Sequence, residues 1–212
     1  GGNTAGPSAS NVVDVYDIFD GWKPNIYLSE ARAFLAAVSI GAKALFAGGY
    51  SSKVDIYDTS TSLWSSAAMS QVRAYLTAMA AGTKVYFAGG NDVSSAVDVY
   101  DSGTNTWSVL TLSLSRSYLA STSYPDQPVY FVGGSTSFGM YTSVIDVVTP
   151  DCTSSSCEYC VNRLGCGYCS STSGCFSGSA NGPSNGQPPC SGSSSWSLSS
   201  CSGESLYCRS VA

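Results

Sequence analysis

The chain has no histidine anywhere and no cysteine in its first 151 residues. Without histidine a Ser–His–Asp triad cannot be assembled, and most zinc and copper centres lose their usual ligand. Charge is scarce as well. Charged residues make up 11% of the chain, against about 25% in a typical globular protein. The formal net charge is −5 and the pI is near 4.4. No cluster of lysine and arginine exists to neutralise phosphates, which argues against a nucleic-acid surface. Long apolar runs are also missing. The most apolar stretch, AFLAAVSIGAKALFAGG at 33–49, is interrupted by Gly41 and Lys43 and falls short of the roughly 20 residues a membrane helix needs. Residues 1–10 show neither a positive leader nor an apolar segment, so no signal peptide is read there.

What is present is unevenly distributed. All nine cysteines (Cys152, Cys157, Cys160, Cys166, Cys169, Cys175, Cys190, Cys201 and Cys208) lie in the last third of the chain. Twelve of the acidic and seven of the basic residues precede Cys152, while only Glu158, Arg163, Glu204 and Arg209 follow it. A domain boundary is expected at Pro150–Cys152, giving domains 1–150 and 151–212.

The first domain repeats itself. The pentapeptide VDVYD at 13–17 returns as VDIYD at 54–58 and as VDVYD at 97–101. Tyr16, Tyr57 and Tyr100 are 41 and 43 residues apart, Trp22, Trp64 and Trp107 are 42 and 43 apart, and Arg32, Arg73 and Arg116 are 41 and 43 apart. Short apolar runs close on paired glycines at ALFAGG, VYFAGG and VYFVGG, and Gly1–Gly2 looks like an earlier such pair. Several markers sharing one period of 40–50 residues point to a propeller or an array. Within a period, β-branched and aromatic runs alternate with Gly, Ser, Asp and Asn, and no helical periodicity appears, so four short antiparallel strands are expected per repeat.

The double glycine, the V-[DE]-x-Y-D motif and a tryptophan about six residues on together resemble the kelch repeat. The resemblance covers residues 1–149 and implies a β-propeller. In it the R…L strand, read in the second repeat as AYLTAMAA at 74–81, is innermost, the Gly–Gly strand second, the Tyr strand third and the Trp strand outermost. The expected fold is all-β: a partial propeller of four-stranded blades and a small disulfide-rich second domain. Two blades are complete, at 31–67 and 73–110. Half a blade precedes them at 12–22, and three strands of another end in VIDVV at 144–148. That count does not close a ring, since propellers typically have about 4–8 blades. Upstream blades, or blades of another chain, are expected to complete it.

In the second domain the cysteines run C-x4-C-x2-C-x5-C-x2-C-x5-C over 152–175. Five residues between the two CxxC pairs are too few for a zinc ribbon, which usually has ~15–20. Dense cysteine with few apolar residues favours a disulfide scaffold. The run SCEYCVNRLGCGYCSSTSGC resembles the PSI domain, or plexin repeat, with CGYC where the family has C-G-W-C. The resemblance implies pairs Cys152–Cys166, Cys160–Cys175 and Cys169–Cys190, and Cys157 with Cys201 or Cys208, leaving one cysteine over. A kelch propeller followed by a PSI domain resembles attractin-like ectodomains.

Catalytic signals are weak. DVYD recurs in every repeat whereas catalysis needs one site, so its acids read as structural, with Asp starting turns. DSGTNTW at 101–107 is one residue too long for a sialidase Asp-box, and GGSTSFG at 133–139 is followed by neither helix nor lysine, so it is no phosphate loop. Some kelch propellers are copper oxidases, but this segment lacks the histidine and cysteine that their copper site requires. The candidate ligand site is the repeated RAFL, RAYL and RSYL stretch, which leads into the innermost strand. Arg32, Arg73 and Arg116 are its candidate anion ligands and Phe34, Tyr75 and Tyr118 a stacking rim. The competing reading has these arginines bracing neighbouring blades through backbone carbonyls and the aromatics in the core. It is favoured because a feature in every repeat serves packing first.

The functional expectation is an extracellular, non-enzymatic interaction or adhesion module without a cofactor. It would bind a protein or glycan ligand on the propeller face, with the PSI domain as a spacer, and neither nucleic acid nor membrane. Two rivals are a structural component of a matrix or surface appendage and the C-terminal part of a kelch-type enzyme whose catalytic residues lie upstream.

Overall fold

The structure is a computed structural model. It describes residues 1–3, 8–91, 94–123, 128–136 and 139–148, together with backbone strands at 166–169, 174–179, 182–183 and 196–197. Every regular element in it is a β-strand. Two compact units are present: Gly1–Ser123 with Tyr130–Asp146, and Tyr124–Val129 with Val147–Ala212.

The first unit opens with a small pair, β1 (Gly2–Asn3) and β2 (Ala9–Ser10), and a two-stranded sheet of β3 (Val12–Asp17) and β4 (Gly21–Tyr27). Two four-stranded meanders follow. The first is β5 (Leu35–Ile40), β6 (Lys43–Gly48), β7 (Ser51–Asp58) and β8 (Leu63–Arg73). The second is β9 (Thr77–Ala81), β10 (Lys84–Ala88), β11 (Ala96–Asp101) and β12 (Thr106–Thr111). A three-stranded sheet has the order β13 (Ala120–Thr122), β14 (Val129–Val132), β15 (Ile145–Val148). The remaining strands, β16 (Cys166–Cys169), β17 (Gly174–Ser179), β18 (Gly182–Pro183) and β19 (Trp196–Ser197), form a sheet of order β18-β17-β16-β19 in the second unit. The cysteine side chains and their pairings lie outside the described residues.

Alternation explains where the core sits. Leu45 and Ala47 on β6, and Val54 and Ile56 on β7, point to one face and are buried. They form one cluster with Met69, Leu76, Val85, Phe87 and Tyr100, so the core lies between the two four-stranded sheets. Each of the larger aliphatic side chains and Phe87 contributes about 1.5–3 kcal/mol on burial.

The turns after the pentapeptide are built alike. Asp17 accepts backbone N–H bonds from Phe19 and Asp20, Asp58 from Ser60 and Thr61, and Asp101 from Gly103 and Thr104. The chain then passes through a left-handed residue, Gly21, Ser62 or Asn105, with φ of 78°, 59° and 57°. The sequence DSGTNTW at 101–107 therefore turns β11 into β12.

Two boundaries differ from expectation. The outer strand of the first complete repeat does not stop at 67. β8 continues past an irregularity to Arg73, which pairs with Ser51. Ala74–Leu76, expected as the start of a strand, is not strand, because Tyr75 is left-handed with φ 58°.

Candidate functional site

The structure separates the arginines from the aromatics that sequence placed on one rim. Arg32, Arg73 and Arg116 are 2%, 0% and 0% exposed. Each guanidinium is occupied by groups of its own repeat, and that of Arg73 also meets Met69 Sδ on β8 at 3.3 Å. Arg32 donates from Nη1 to the carbonyls of Gly48 (3.0 Å) and Lys53 (2.7 Å), and from Nη2 to Asp55 Oδ2 (2.5 Å). Arg73 donates to the carbonyls of Phe87, Gly89 and Ala96, and from Nη2 to Asp98. Arg116 donates to the carbonyls of Val144 (2.9 Å) and Phe131 (3.0 Å) and to Asp146 Oδ2 (2.6 Å). Burial lowers the Arg73 guanidinium from its usual value, and the neighbouring Asp98 carboxylate opposes that shift.

The side chains therefore brace the sheet that follows them, and that of Arg73 reaches it from the end of β8 in the preceding sheet. The arginine backbone ties to the residues before it. The carbonyl of Arg32 accepts from Gly2 N–H, that of Arg73 from Tyr50 N–H and that of Arg116 from Gly90 N–H. Glycine is required at this junction. A Cβ on Gly89, whose φ is +66°, would stand 2.5 Å from the Arg116 carbonyl oxygen.

The aromatics stand outside. Phe34, Tyr75 and Tyr118 have φ of 61°, 58° and 55°, a region where bulky residues are rare and which costs on the order of 1–3 kcal/mol each. Backbone bonds hold them there: Tyr75 N–H donates to Phe34 C=O and Tyr118 N–H to Tyr75 C=O, both at 3.0 Å. The rings stack in the same order, with centroids 4.6 Å apart from Phe34 to Tyr75 and 4.5 Å from Tyr75 to Tyr118. Tyr50 stands edge-on to both Phe34 and Tyr75, and its hydroxyl bonds the Tyr75 hydroxyl at 2.9 Å. Phe34 is 44% exposed and Tyr118 64%. These two rings and Tyr75, which is half-buried, thus lie at the surface and not in the core.

The ladder ends beside a cavity of about 550 Å³ lined by Tyr118, Gly134, Ser135, Tyr141 and Thr142. No charged side chain lines it, and Tyr141 is almost fully exposed. The arrangement offers flat apolar rings with hydroxyl groups beside them, a chemistry of stacking and hydrogen bonding. Among the described residues, no group of His, Cys, Asp and Glu is placed to hold a metal ion, and no helix is long and apolar enough to cross a membrane.

Sequence reasoning missed Tyr50, Tyr141 and the partners of the arginines. The first aspartate of each pentapeptide carried the missing signal. Asp55 and Asp98 follow Arg32 and Arg73 at nearly equal separations, and Asp146 in VIDVV follows Arg116 at a longer one, with the tyrosine there replaced. Tyr50 and Tyr141 belong to no repeat-wide pattern, so nothing in the spacing marks them. The chain matches no family model and no curated protein.

Proposed function

We propose that this chain is a non-enzymatic extracellular interaction module, a kelch-type propeller segment followed by a PSI-type disulfide domain, which holds a protein ligand against its aromatic ladder. The missing part of the ring comes from further blades. The single observation that carries the binding role is the ladder itself. Three bulky residues are kept in a costly left-handed backbone, one per repeat, with their rings at the surface. Strain of that kind persists where the surroundings hold it, and it concentrates at ligand-binding surfaces. Exposed tyrosine provides large contact area at little conformational cost, which suits a protein partner. The uncharged cavity beside Tyr118 gives the ladder a concave end for an anchoring side chain.

The test is selection of displayed peptides on the intact protein, followed by titration of the best binder against Tyr75→Ala and Tyr118→Ala. Both variants should keep the fold and weaken binding at least about tenfold, a loss of about 1.4 kcal/mol. Binders indifferent to both substitutions, or no enrichment over an unrelated β-protein, would contradict the proposal.

A further inference from the structure

The aromatic ladder restricts how a peptide can be held on it. Its backbone bonds to itself and to neighbouring loops. Tyr75 N–H donates to Phe34 C=O and Tyr118 N–H to Tyr75 C=O, while the carbonyls of Ala74 and Ser117 accept from Asn91 and Ser135 N–H. The ladder therefore lacks the row of free N–H and C=O groups that strand addition needs. Charge recognition is closed as well. Arg32, Arg73 and Arg116 are buried against Asp55, Asp98 and Asp146, and no charged side chain lines the cavity at the ladder's end. Acidic and phosphorylated motifs are read by free arginine clusters and find no counter-charge here.

What the surface offers is ring faces and hydroxyl protons. Tyr75 accepts from the Tyr50 hydroxyl and keeps its own proton to donate. Thr142 Oγ1 accepts from Val144 N–H at 3.2 Å and likewise keeps its proton. Tyr118 and Tyr141, 64% and 92% exposed, add two further hydroxyls. Such donors suit a ligand with unpaired carbonyl oxygens. An α-helix pairs its own carbonyls and would leave them unmet. A polyproline II segment has no internal hydrogen bonds, so its carbonyls are free, and its prolines carry no N–H that needs an acceptor. Its rings pack on aromatic surfaces, and its preformed shape loses little entropy on binding. The dimensions agree. One turn of three residues rises about 9.3 Å, and the ladder's two steps are 4.6 and 4.5 Å, so prolines one turn apart reach from the first ring to the third.

We infer that the ladder and its cavity form a binding surface for a proline-rich segment in the polyproline II conformation. Prolines pack on Phe34, Tyr75 and Tyr118, one proline ring enters the cavity lined by Tyr118 and Tyr141, and the hydroxyls donate to the peptide's carbonyls. The inference rests on the binding role proposed for the ladder and names the chemistry of the partner.

The test titrates the intact protein with an uncharged, end-capped proline decamer and with a Ser–Gly decamer as control. Calorimetry gives the affinity and NMR shifts of the aromatic side chains give the place. The proline decamer should bind saturably, at least about tenfold more tightly than the control, with its shifts centred on Phe34, Tyr75 and Tyr118. Tyr118→Ala should weaken it at least about tenfold. Tyr118→Phe, which keeps the ring and removes the donor, should weaken it about threefold. Tyr27→Ala, at an exposed tyrosine outside the ladder, should leave it unchanged. If peptides selected on the protein bind through Tyr75 and Tyr118 but the proline decamer does not bind, this inference is overturned and the ladder's binding role stands. Failure of both the selection and the decamer removes both. Decamer binding that ignores both Tyr118 substitutions, or shifts centred away from the ladder, would also overturn the inference.

Discussion

The pentapeptide Val-Asp-Val-Tyr-Asp occurs identically at 13–17 and at 97–101 and meets two different fates. At 97–101 it lies between two strands. Asp98 is bonded to Arg73, and Tyr100 is 1% exposed, its hydroxyl bonded to Lys43 Nζ and Asn105 Oδ1. At 13–17 it forms the edge of a two-stranded sheet, Asp14 faces solvent and Tyr16 is 61% exposed. The turn that follows is the same in both copies, because an aspartate capping its own turn needs nothing outside it. Local chemistry is thus carried by the motif, and burial by its neighbours: the strand inside it, the arginine ahead of it and the preceding repeat beyond it.

The comparison can be sharpened by charge. Asp98→Ala leaves the Arg73 guanidinium buried without its counter-ion and should cost about 3–5 kcal/mol. Asp14→Ala should stay within about 0.5 kcal/mol, as at an exposed position. Chemical denaturation of the two variants measures both. Equal losses would mean that Asp14 is engaged as fully as Asp98.

The junction between repeats can be broken from the glycine side. Gly89→Val forces a β-branched residue into a left-handed φ and against the Arg116 carbonyl oxygen, and should cost about 2–4 kcal/mol. An unchanged melting temperature would refute the close-approach argument.

The smallest effect is common to both regions. Hydrogen bonds lower the pKa of Asp17, chiefly the Phe19 backbone N–H, and that of Asp58, chiefly the Ser60 side chain. A lowered folded pKa means that the stabilisation is present above the ordinary aspartate value of about 3.9 and is lost as pH falls through the lower folded value. Carboxylate titration by NMR should place both midpoints below that of a free aspartate, in the two-stranded sheet and the four-stranded sheet alike.

Much of the fold was legible because strand-forming runs, glycine pairs and turn aspartates share one period. All-β class, four strands per complete repeat and the half-width first sheet follow from that. The extent of β8 was not legible, since its continuation to Arg73 rests on pairing with Ser51 and not on any alternation in its own residues. For the candidate site, the sequence grouped the arginines and aromatics by their shared period but could not separate them in space. Arg32 and Phe34 are two residues apart, and a left-handed residue at Phe34 is what sends one inward and the other out. No single-residue propensity anticipates an aromatic in that conformation.

The account's central claim is that the inner strand pair and its arginine, not the pentapeptide, make the buried core of a repeat. Native-state hydrogen exchange of the intact chain, resolved by residue, tests it most directly. The Val97–Asp101 amides should exchange at least about a hundredfold more slowly than those of Val13–Asp17 that point to the open edge of β3. Equal protection of the two identical pentapeptides would contradict the claim.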